Sequence, residues 1–598
     1  MTSASACAIS NQTKPVAAPG KPTKNWVRPA GARITRPLGP PAAAKSEECN
    51  KLHLLTVGLE DYYHVSALKR IIEPTRWSRF ESRVEIGTDR TLDLLDEYGV
   101  KATFFVLGWV ADMVPELVRK VASRGHEIAS KGYRPHGLRQ LSPGEFRDDL
   151  AKAREALVRA SGQRIIGFRV GRRWLSSKDL WALDVLAEEG YLYDSSIKPM
   201  LRAFAGEPWR RFAHKHEAGS RSIWEFPLST AEVLGLTVPI AGGNYFRQLP
   251  HGLVQRAVAH WDRKYEAPFV MYFHTWELDP DQPRVTAAPL YQRVRHYRNL
   301  GKMEGMLRDY LERYRFQSIA QRLDVETVDP DAPLPAAMAP APIRVIAPAS
   351  PSKPGAAATP VSVVVPCFNE EAVLPYLQKT LDEVAAGVAE RYRLHYVFVN
   401  DGSSDQTTAI LDRTFAPRPD CTVIHHPGNQ GVSAAILTGI RESKTDIVCS
   451  IDCDCTYDPH QLADMIPLLT DGVDLVTASP YHPKGSVKNV PAWRLSLSRS
   501  ASAFYRVVLR HKLQTYTSCF RVYRRSTVLG LELREPEFLG ITELIGQVDL
   551  NGGTIVEFPA VLEVRVLGRS KMKVVRTIFG HLGLLTRLLF QRMTGIRR

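Results

Sequence analysis

Cys449-Ser-Ile-Asp-Cys-Asp-Cys-Thr-Tyr-Asp458, with Ile447 and Val448 before it, is an apolar run that ends in two carboxylates at i and i+2, Asp452 and Asp454. Such a run reads as a buried strand that delivers both acids to its carboxyl end. That is the end at which open α/β sheets bind ligands. Two carboxylates on a short loop chelate a hard divalent cation and leave positions for water and for diphosphate oxygens. A D-x-D arises by chance about once in a chain this rich in Asp. Its weight therefore comes from its neighbours.

Upstream, Pro360-Val-Ser-Val-Val-Val-Pro366 reads as a buried strand ending in Cys367-Phe-Asn-Glu-Glu371, followed by a helix carrying Val373, Leu377, Leu381 and Val384. His395-Tyr-Val-Phe-Val-Asn-Asp401 is a second strand, and Cys421 to His425 a third, leading to Gly428-Asn-Gln-Gly431 and a helix from Ser433 to Glu442. Four strands that each end in polar residues place Asn369, Glu370, Asp401, Asp452 and Asp454 on one rim of a parallel sheet.

These residues, with TYTSCFRVYRR (515 to 525), FLGITELIGQ around Glu543 and FPAVLEVRVLGRSKMKV (558 to 574), resemble the inverting glycosyltransferases of the GT-A fold, nearest the dolichyl-phosphate-mannose-synthase-like group. The resemblance covers about Val361 to Val575 and implies a Rossmann-like nucleotide-diphospho-sugar transferase. It implies that Pro366, Asn369 and Glu370 line the nucleotide pocket and that Asp401 contacts the base. Asp452 and Asp454 would hold Mg²⁺ or Mn²⁺ against the diphosphate, where the ion neutralises charge growing on the leaving group. Arg494, Arg521, Arg565, Arg569 and Lys571 are phosphate-clamp candidates, with solvated surface cations as the alternative. Glu543 stands either as general base for an acceptor hydroxyl or as ordinary helix charge. A polyprenyl phosphate acceptor, already ionised, would need no base. The QxxRW motif of processive synthases is absent, which argues for transfer of a single sugar.

The first half alternates strands and amphipathic helices from Leu52 onward, the pattern of a parallel α/β sheet or barrel. Ser142-Pro-Gly-Glu145 is a capping box, followed at helical spacing by Phe146, Leu150, Ala153 and Leu157. Glu60-Asp-Tyr-Tyr-His64, KATFFVLGWVA (101 to 111), GHEIAS (125 to 130), LWALDVLAEEGYLYDSSI (180 to 197), GGNYFRQLP (242 to 250) and HTWELDPDQPR (274 to 284) resemble the NodB-like polysaccharide deacetylases, specifically the branch beside exosortase-type exopolysaccharide systems. That resemblance implies a (β/α) barrel-type fold and a metal held by one Asp and two His beside an Asp base. Here the pattern is broken. Gly58 stands where the base is expected, with Glu60 and Asp61 close by. Lys131-Gly-Tyr-Arg-Pro-His136 replaces His-Gly-Tyr-x-His, and Arg169-Val-Gly171 replaces Arg-x-Pro, while Asp194 and His274 remain. A lysine ammonium repels a metal unless burial strips its proton, so no metal and no hydrolysis are expected in this half. A site rebuilt from Glu60, Asp61, His136 and His274 is the alternative.

The domains expected are a disordered tail (1–50), the deacetylase-like domain (51–325), a Pro/Ala linker (326–359), the transferase (360–575) and a basic C-terminal helix (576–598), with the two halves folding separately. Eight cysteines scattered over 598 residues do not form a disulfide framework, so a reducing, cytoplasmic compartment is expected. No stretch reaches the length of a membrane span. TIFGHLGLLTRLLFQRM (577 to 593), rimmed by Lys and Arg, suits an anionic membrane surface or packing on its own domain. The net charge of +15 favours anionic partners, but no nucleic-acid-reading motif accompanies it. The chain is thus expected to be a peripheral hexosyltransferase that moves sugar from a nucleotide-sugar to a polyprenyl phosphate or envelope-glycan precursor. The rivals are a bifunctional transferase and N-deacetylase acting on an N-acetylated sugar, and a non-enzymatic polysaccharide-binding or assembly protein.

Overall fold

The computed structural model describes residues 51–327 and 358–594, apart from 66, 136, 201–203, 205, 234, 536 and 569–573, and describes the side chains of the last helix from 578 onward. The expected tail, most of the linker, and the candidates His136, Arg569 and Lys571 lie outside the described residues.

The first half is built on a nine-stranded sheet in which Leu52–Leu59, one strand in from the edge, lies between Val270–His274 and Thr103–Val106. These strands are parallel and in register, with Gly58 opposite His274. Helices cover the sheet, so these strands read as unbroken apolar runs and not as alternation: Leu54, Leu55, Val57 and Leu59 are all fully buried. The helix Pro143–Ser161 starts at the expected capping box on Ser142 and stops at Gly162, whose φ of 70° is the left-handed conformation of a helix end.

The second half is a seven-stranded sheet in which Thr359–Cys367 lies between Tyr392–Asn400 and Ile447–Ser450, all parallel. Chain order therefore reverses between Thr359–Cys367 and Ile447–Ser450, which opens a crevice at their carboxyl ends. The antiparallel strand Arg521–Arg524 pairs with Ile447–Ser450 on the far side. The helices Ala492–Val508, Phe538–Leu550 and Val574–Thr594 pack together beyond it.

The two halves are packed against each other. Val285 bridges Leu567, Thr286 N–H donates to Val566 O at 3.0 Å, and Thr286 Oγ1 donates to Gly568 O at 2.7 Å. Arg76 forms a bidentate pair with Glu563, and Arg79 reaches Glu383 at 2.8 Å and Asp458 at 3.1 Å. Phe80 meets Tyr376 edge-on with centroids 5.0 Å apart, and Val373, Tyr376 and Leu567 belong to the first half's apolar cluster. Packed rings and paired guanidinium groups make this a continuous interface.

Candidate active site

At the carboxyl rim of the second sheet the chain turns on two residues with positive φ, Asn369 (52°) and Gly402 (67°). Asn369 Oδ1 accepts from Ser404 N at 2.6 Å and so ties the first strand's loop to the second's. A Cβ on Gly402 would lie 2.4 Å from Gly428 C, so only glycine lets the 428–431 loop close over it. Asp401 is buried, and its carboxylate accepts from Gln430 N and Gly431 N, both at 2.8 Å, and contacts His426 Nδ1 at 2.8 Å. Its carboxylate thus holds the loop, and any contact to a base would come in addition. Pro366, next to last in the strand Thr359–Cys367, is half-buried.

Asp452 and Asp454 follow the strand Ile447–Ser450 into the crevice. Arg565 Nε donates to Asp454 Oδ2 at 2.6 Å, and its Nη1 donates to Glu370 Oε1 at 3.0 Å, so one guanidinium joins two acids from different strand ends. Thr456 N steadies Asp454 Oδ1 at 3.0 Å. Asp452 has the buried Cys519 thiol as its hydrogen-bond partner. Burial and the neighbouring Asp454 push its carboxyl up to about 7. Arg565 offsets part of this shift and Glu370 adds to it.

From these acids a cavity of about 410 Å³ runs between the helices Ala492–Val508 and Val574–Thr594. Arg494 and His581 line it, as do Trp493, Leu497, Phe504, Ile578 and Leu582, all at least one-third exposed apolar side chains. Outside it Val507, Phe579, Phe590 and Met593 are also exposed. The last helix buries Leu584, Leu585 and Leu588 on its own domain, so it both packs and presents an apolar face. Among the described residues no helix is long and apolar enough to cross a membrane.

Two sequence expectations fail here. Glu543 is buried and absent from the cavity wall: its Oε2 accepts from Arg534 N and Glu535 N at 2.9 and 2.8 Å, and its Oε1 lies 3.2 Å from Arg587. It anchors a loop and the last helix and is not placed to act as a base. Arg521 is fully buried and donates to Ile541 O at 2.6 Å and Tyr516 O at 2.9 Å, because its strand faces the helix Phe538–Leu550 and not the crevice. The sequence reading missed Trp493, Leu497 and Phe504 as cavity wall. Their helical spacing between Arg494, Arg499 and Arg506 was the available signal. The cysteines at 367, 421, 449, 453, 455 and 519 are free thiols, and burial raises the Cys449 thiol.

The first half has its own cavity, about 180 Å³, at the ends of its parallel strands. Lys131 Nζ is bonded to Glu60 Oε1, with both side chains under one-tenth exposed. Burial alone would raise the Glu60 carboxyl, but the Lys131 charge, together with His274, holds it below the usual range. His274 Nε2 is 3.9 Å from Glu60, and its ring takes the space above Gly58, where a Cβ would approach Cδ2 to 2.5 Å. An aspartate at 58 would displace that imidazole. Arg169 is buried under the cavity, donating to Ser195 O at 2.9 Å and Thr56 Oγ1 at 3.0 Å. Two expected members lie elsewhere. Asp61 spends its carboxylate on Ser82 Oγ, Arg83 N and Val84 N at the start of the next helix, and Asp194 sits buried beside Ser196 and Glu225. Among the described residues the donors do not fit a metal, since an ammonium occupies the cavity carboxylate at the strand end. Among the described residues no group of three His, Cys, Asp or Glu stands ready to hold an ion in either half.

Three family models match the chain: Polysaccharide deacetylase over 74–183, a domain of unknown function, DUF3473, over 195–324, and Glycosyl transferase family 2 over 362–529. A polyprenol monophosphomannose synthase of Mycolicibacterium smegmatis is 31% identical over 221 residues, which span 35% of this chain and 80% of the relative. The chain belongs to glycosyl transferase family 2. An undecaprenyl-phosphate mannosyltransferase of Micrococcus luteus is similar to this transferase at 30% identity, covering 36% of the chain and 87% of the relative. Among solved structures, a putative polysaccharide deacetylase from Mycobacterium smegmatis covers 50% of this chain and 100% of its own at 21% identity and a TM-score of 0.33. A Pyrobaculum calidifontis mannosyltransferase, crystallised with GDP-Man and Mn²⁺, covers 40% and 65% at 18% identity and a TM-score of 0.30. By the family models, a polysaccharide deacetylase segment precedes the family 2 transferase segment in this chain.

Proposed function

We propose that the chain transfers one hexose, with inversion, from a nucleotide-sugar to a polyprenyl phosphate at the cytoplasmic face of a membrane. One observation carries this reading: the cavity that begins at Asp452, Asp454 and Arg565 continues as an apolar trough between the helices Ala492–Val508 and Val574–Thr594. A ligand suited to it is charged at one end and greasy along its length. The relatives named as polyprenol- and undecaprenyl-phosphate mannosyltransferases support the same acceptor.

A phosphate oxygen of the acceptor attacks the anomeric carbon, the bond from that carbon to the diphosphate breaks, and nucleoside diphosphate leaves. That nucleophile is already ionised, so the reaction needs no base, in keeping with Glu543 being engaged elsewhere. Asp452 and Asp454 are the residues to hold Mg²⁺ or Mn²⁺, whose charge would stabilise the departing diphosphate. The pair fits a cation, because burial and mutual repulsion already penalise its second charge. Arg565 keeps Asp454 oriented, and Arg494 offers a further cation at the cavity wall. The exposed apolar side chains of the two helices would seat the domain on lipid.

The deacetylase domain, on this reading, does not hydrolyse amides, because Lys131 and Gly58 stand where its ligand and base would be. A donor screen with purified full-length protein, Mn²⁺ or Mg²⁺ and a polyprenyl phosphate, reading released nucleoside diphosphate, tests the proposal. Turnover that needs both the lipid phosphate and a divalent ion is expected. Equal turnover in chelator, or release of acetate from an acetylated aminosugar, would overturn the corresponding part.

A further inference from the structure

The cavity of the deacetylase domain has exchanged the character of its lining. Six cationic side chains face it against two carboxylates, and both carboxylates are taken, Glu60 by Lys131 and Glu277 by Arg247 at 2.8 Å. Arg169, Arg173, Lys198 and Arg295 remain, with no carboxylate in ion-pair reach among the described residues. Lys198 is held 5.1 Å from the Trp174 ring centroid and 5.6 Å from that of Tyr245, with the Tyr245 hydroxyl at 3.3 Å as its polar contact. Arg173 holds a left-handed backbone at φ 63°, a strain found more often at binding sites than elsewhere.

Two buried N–H groups on the same wall also lack an acceptor. His64 is 4% exposed, and its Nδ1 accepts from Asp61 N at 3.0 Å, so the proton of the neutral ring sits on Nε2. Burial keeps that ring neutral, its pKa lowered to about 3. His64 Nε2 and Trp276 Nε1 are both buried without a hydrogen-bond partner among the described residues, and both side chains line the cavity. Buried donors left unpaired cost stability until an acceptor arrives. A metal needs lone pairs, and this cavity offers hydrogens and positive charge.

We propose that the cavity binds a single sugar ring carrying one anionic group, a carboxylate or a phosphate. Lys198, Arg173 and Arg295 neutralise the anion, His64 and Trp276 donate to its oxygens or to ring hydroxyls, and Trp174 and Tyr245 offer flat apolar surface to the ring. Asn244 Oδ1, buried and unpartnered at the same wall, accepts from a hydroxyl. The site is separate from the transferase crevice, so it stands or falls independently of the reaction proposed above.

Calorimetry on the full-length protein tests it with four probes: glucuronate, glucose 6-phosphate, methyl glucoside and inorganic phosphate. At least one anionic sugar is expected to bind tenfold or more tightly than methyl glucoside and inorganic phosphate, and which one binds identifies the group. Lys198→Gln and Arg295→Gln should each weaken that binding at least tenfold while leaving the melting temperature unchanged, and Asp452→Asn should leave it intact. Binding lost with Asp452→Asn but kept in Lys198→Gln would move the ligand to the transferase crevice and overturn the proposal. So would equal affinity for methyl glucoside or for inorganic phosphate, no heat from either anionic sugar, or a Zn²⁺ site that disappears in Glu60→Gln.

Discussion

Each half of the molecule brings buried carboxylates to the carboxyl ends of parallel strands, and each balances them differently. At Glu60 the balancing cation is Lys131, from the end of the strand two places along the sheet, and both side chains are buried. At Asp454 it is Arg565, one-fifth exposed and carried on a loop beyond the last strand, and Asp452 beside it keeps a carboxyl pushed up to about 7. On the proposed reading, a cation fixed inside the sheet would close a site to metals, and one borne on a loop would leave an acid pair that a divalent ion can bind.

The comparison breaks most decisively at Asp452. Asp452→Asn should lower nucleoside diphosphate release on the order of a thousandfold, the scale of losing several kcal/mol of charge stabilisation; near-normal turnover would erase the distinction between the halves. Lys131→Met leaves Glu60 buried without its cation, and urea unfolding should show a loss of about 3–5 kcal/mol. Lys131→Met combined with Glu60→Gln should recover most of it, and no recovery would mean that the pair is not what balances this site.

The pH response sharpens the contrast. Burial and Arg295 lower the Lys198 pKa to about 8, so its charge is present below that pH and lost as pH rises through it. Burial also lowers the Arg169 guanidinium, to about 10, and raises the Tyr245 hydroxyl above its ordinary range, so the loss of charge near pH 8 is assigned to Lys198. Anionic-sugar affinity should fall about tenfold between pH 7 and pH 9 in titration calorimetry. Smaller still, Thr286→Val removes the hydroxyl bond to Gly568, about 1 kcal/mol, and should raise the donor KM a few-fold by loosening the loop that carries Arg565. Glu543→Gln should leave turnover within about threefold, where loss of a general base would cost a hundredfold or more.

The strand runs and the D-x-D were legible because they are local: a buried parallel strand advertises itself by unbroken apolar residues, as Val361, Val363, Val364 and Val365 do. The broken metal pattern of the first half was legible for the same reason, since Gly58 and Lys131 sit at fixed places in contiguous motifs. What failed depended on direction. Glu543 and Arg521 lie in stretches that match the family, yet one side chain turns under a loop and the other into a helix, and spacing along the chain does not say which way a side chain faces. The apolar trough was hidden because its two walls are some eighty residues apart and each reads alone as an ordinary amphipathic helix. Nor did the composition of the linker disclose that the halves it joins are packed together.

That packing has a consequence for the strength its contacts need. The bonds from Thr286 to Val566 and Gly568 and the pairs at Arg76 and Arg79 rim the packed rings of Phe80 and Tyr376, and between two free proteins they would have to form against dilution. Joined in one chain, the two surfaces meet at an effective concentration on the order of millimolar. Contacts of modest affinity then suffice to keep the Arg565 loop seated. Continuity of the polypeptide thus serves as part of the active site's scaffolding, and a gene split between residues 327 and 358 would make transfer depend on how much of each piece the cell produced.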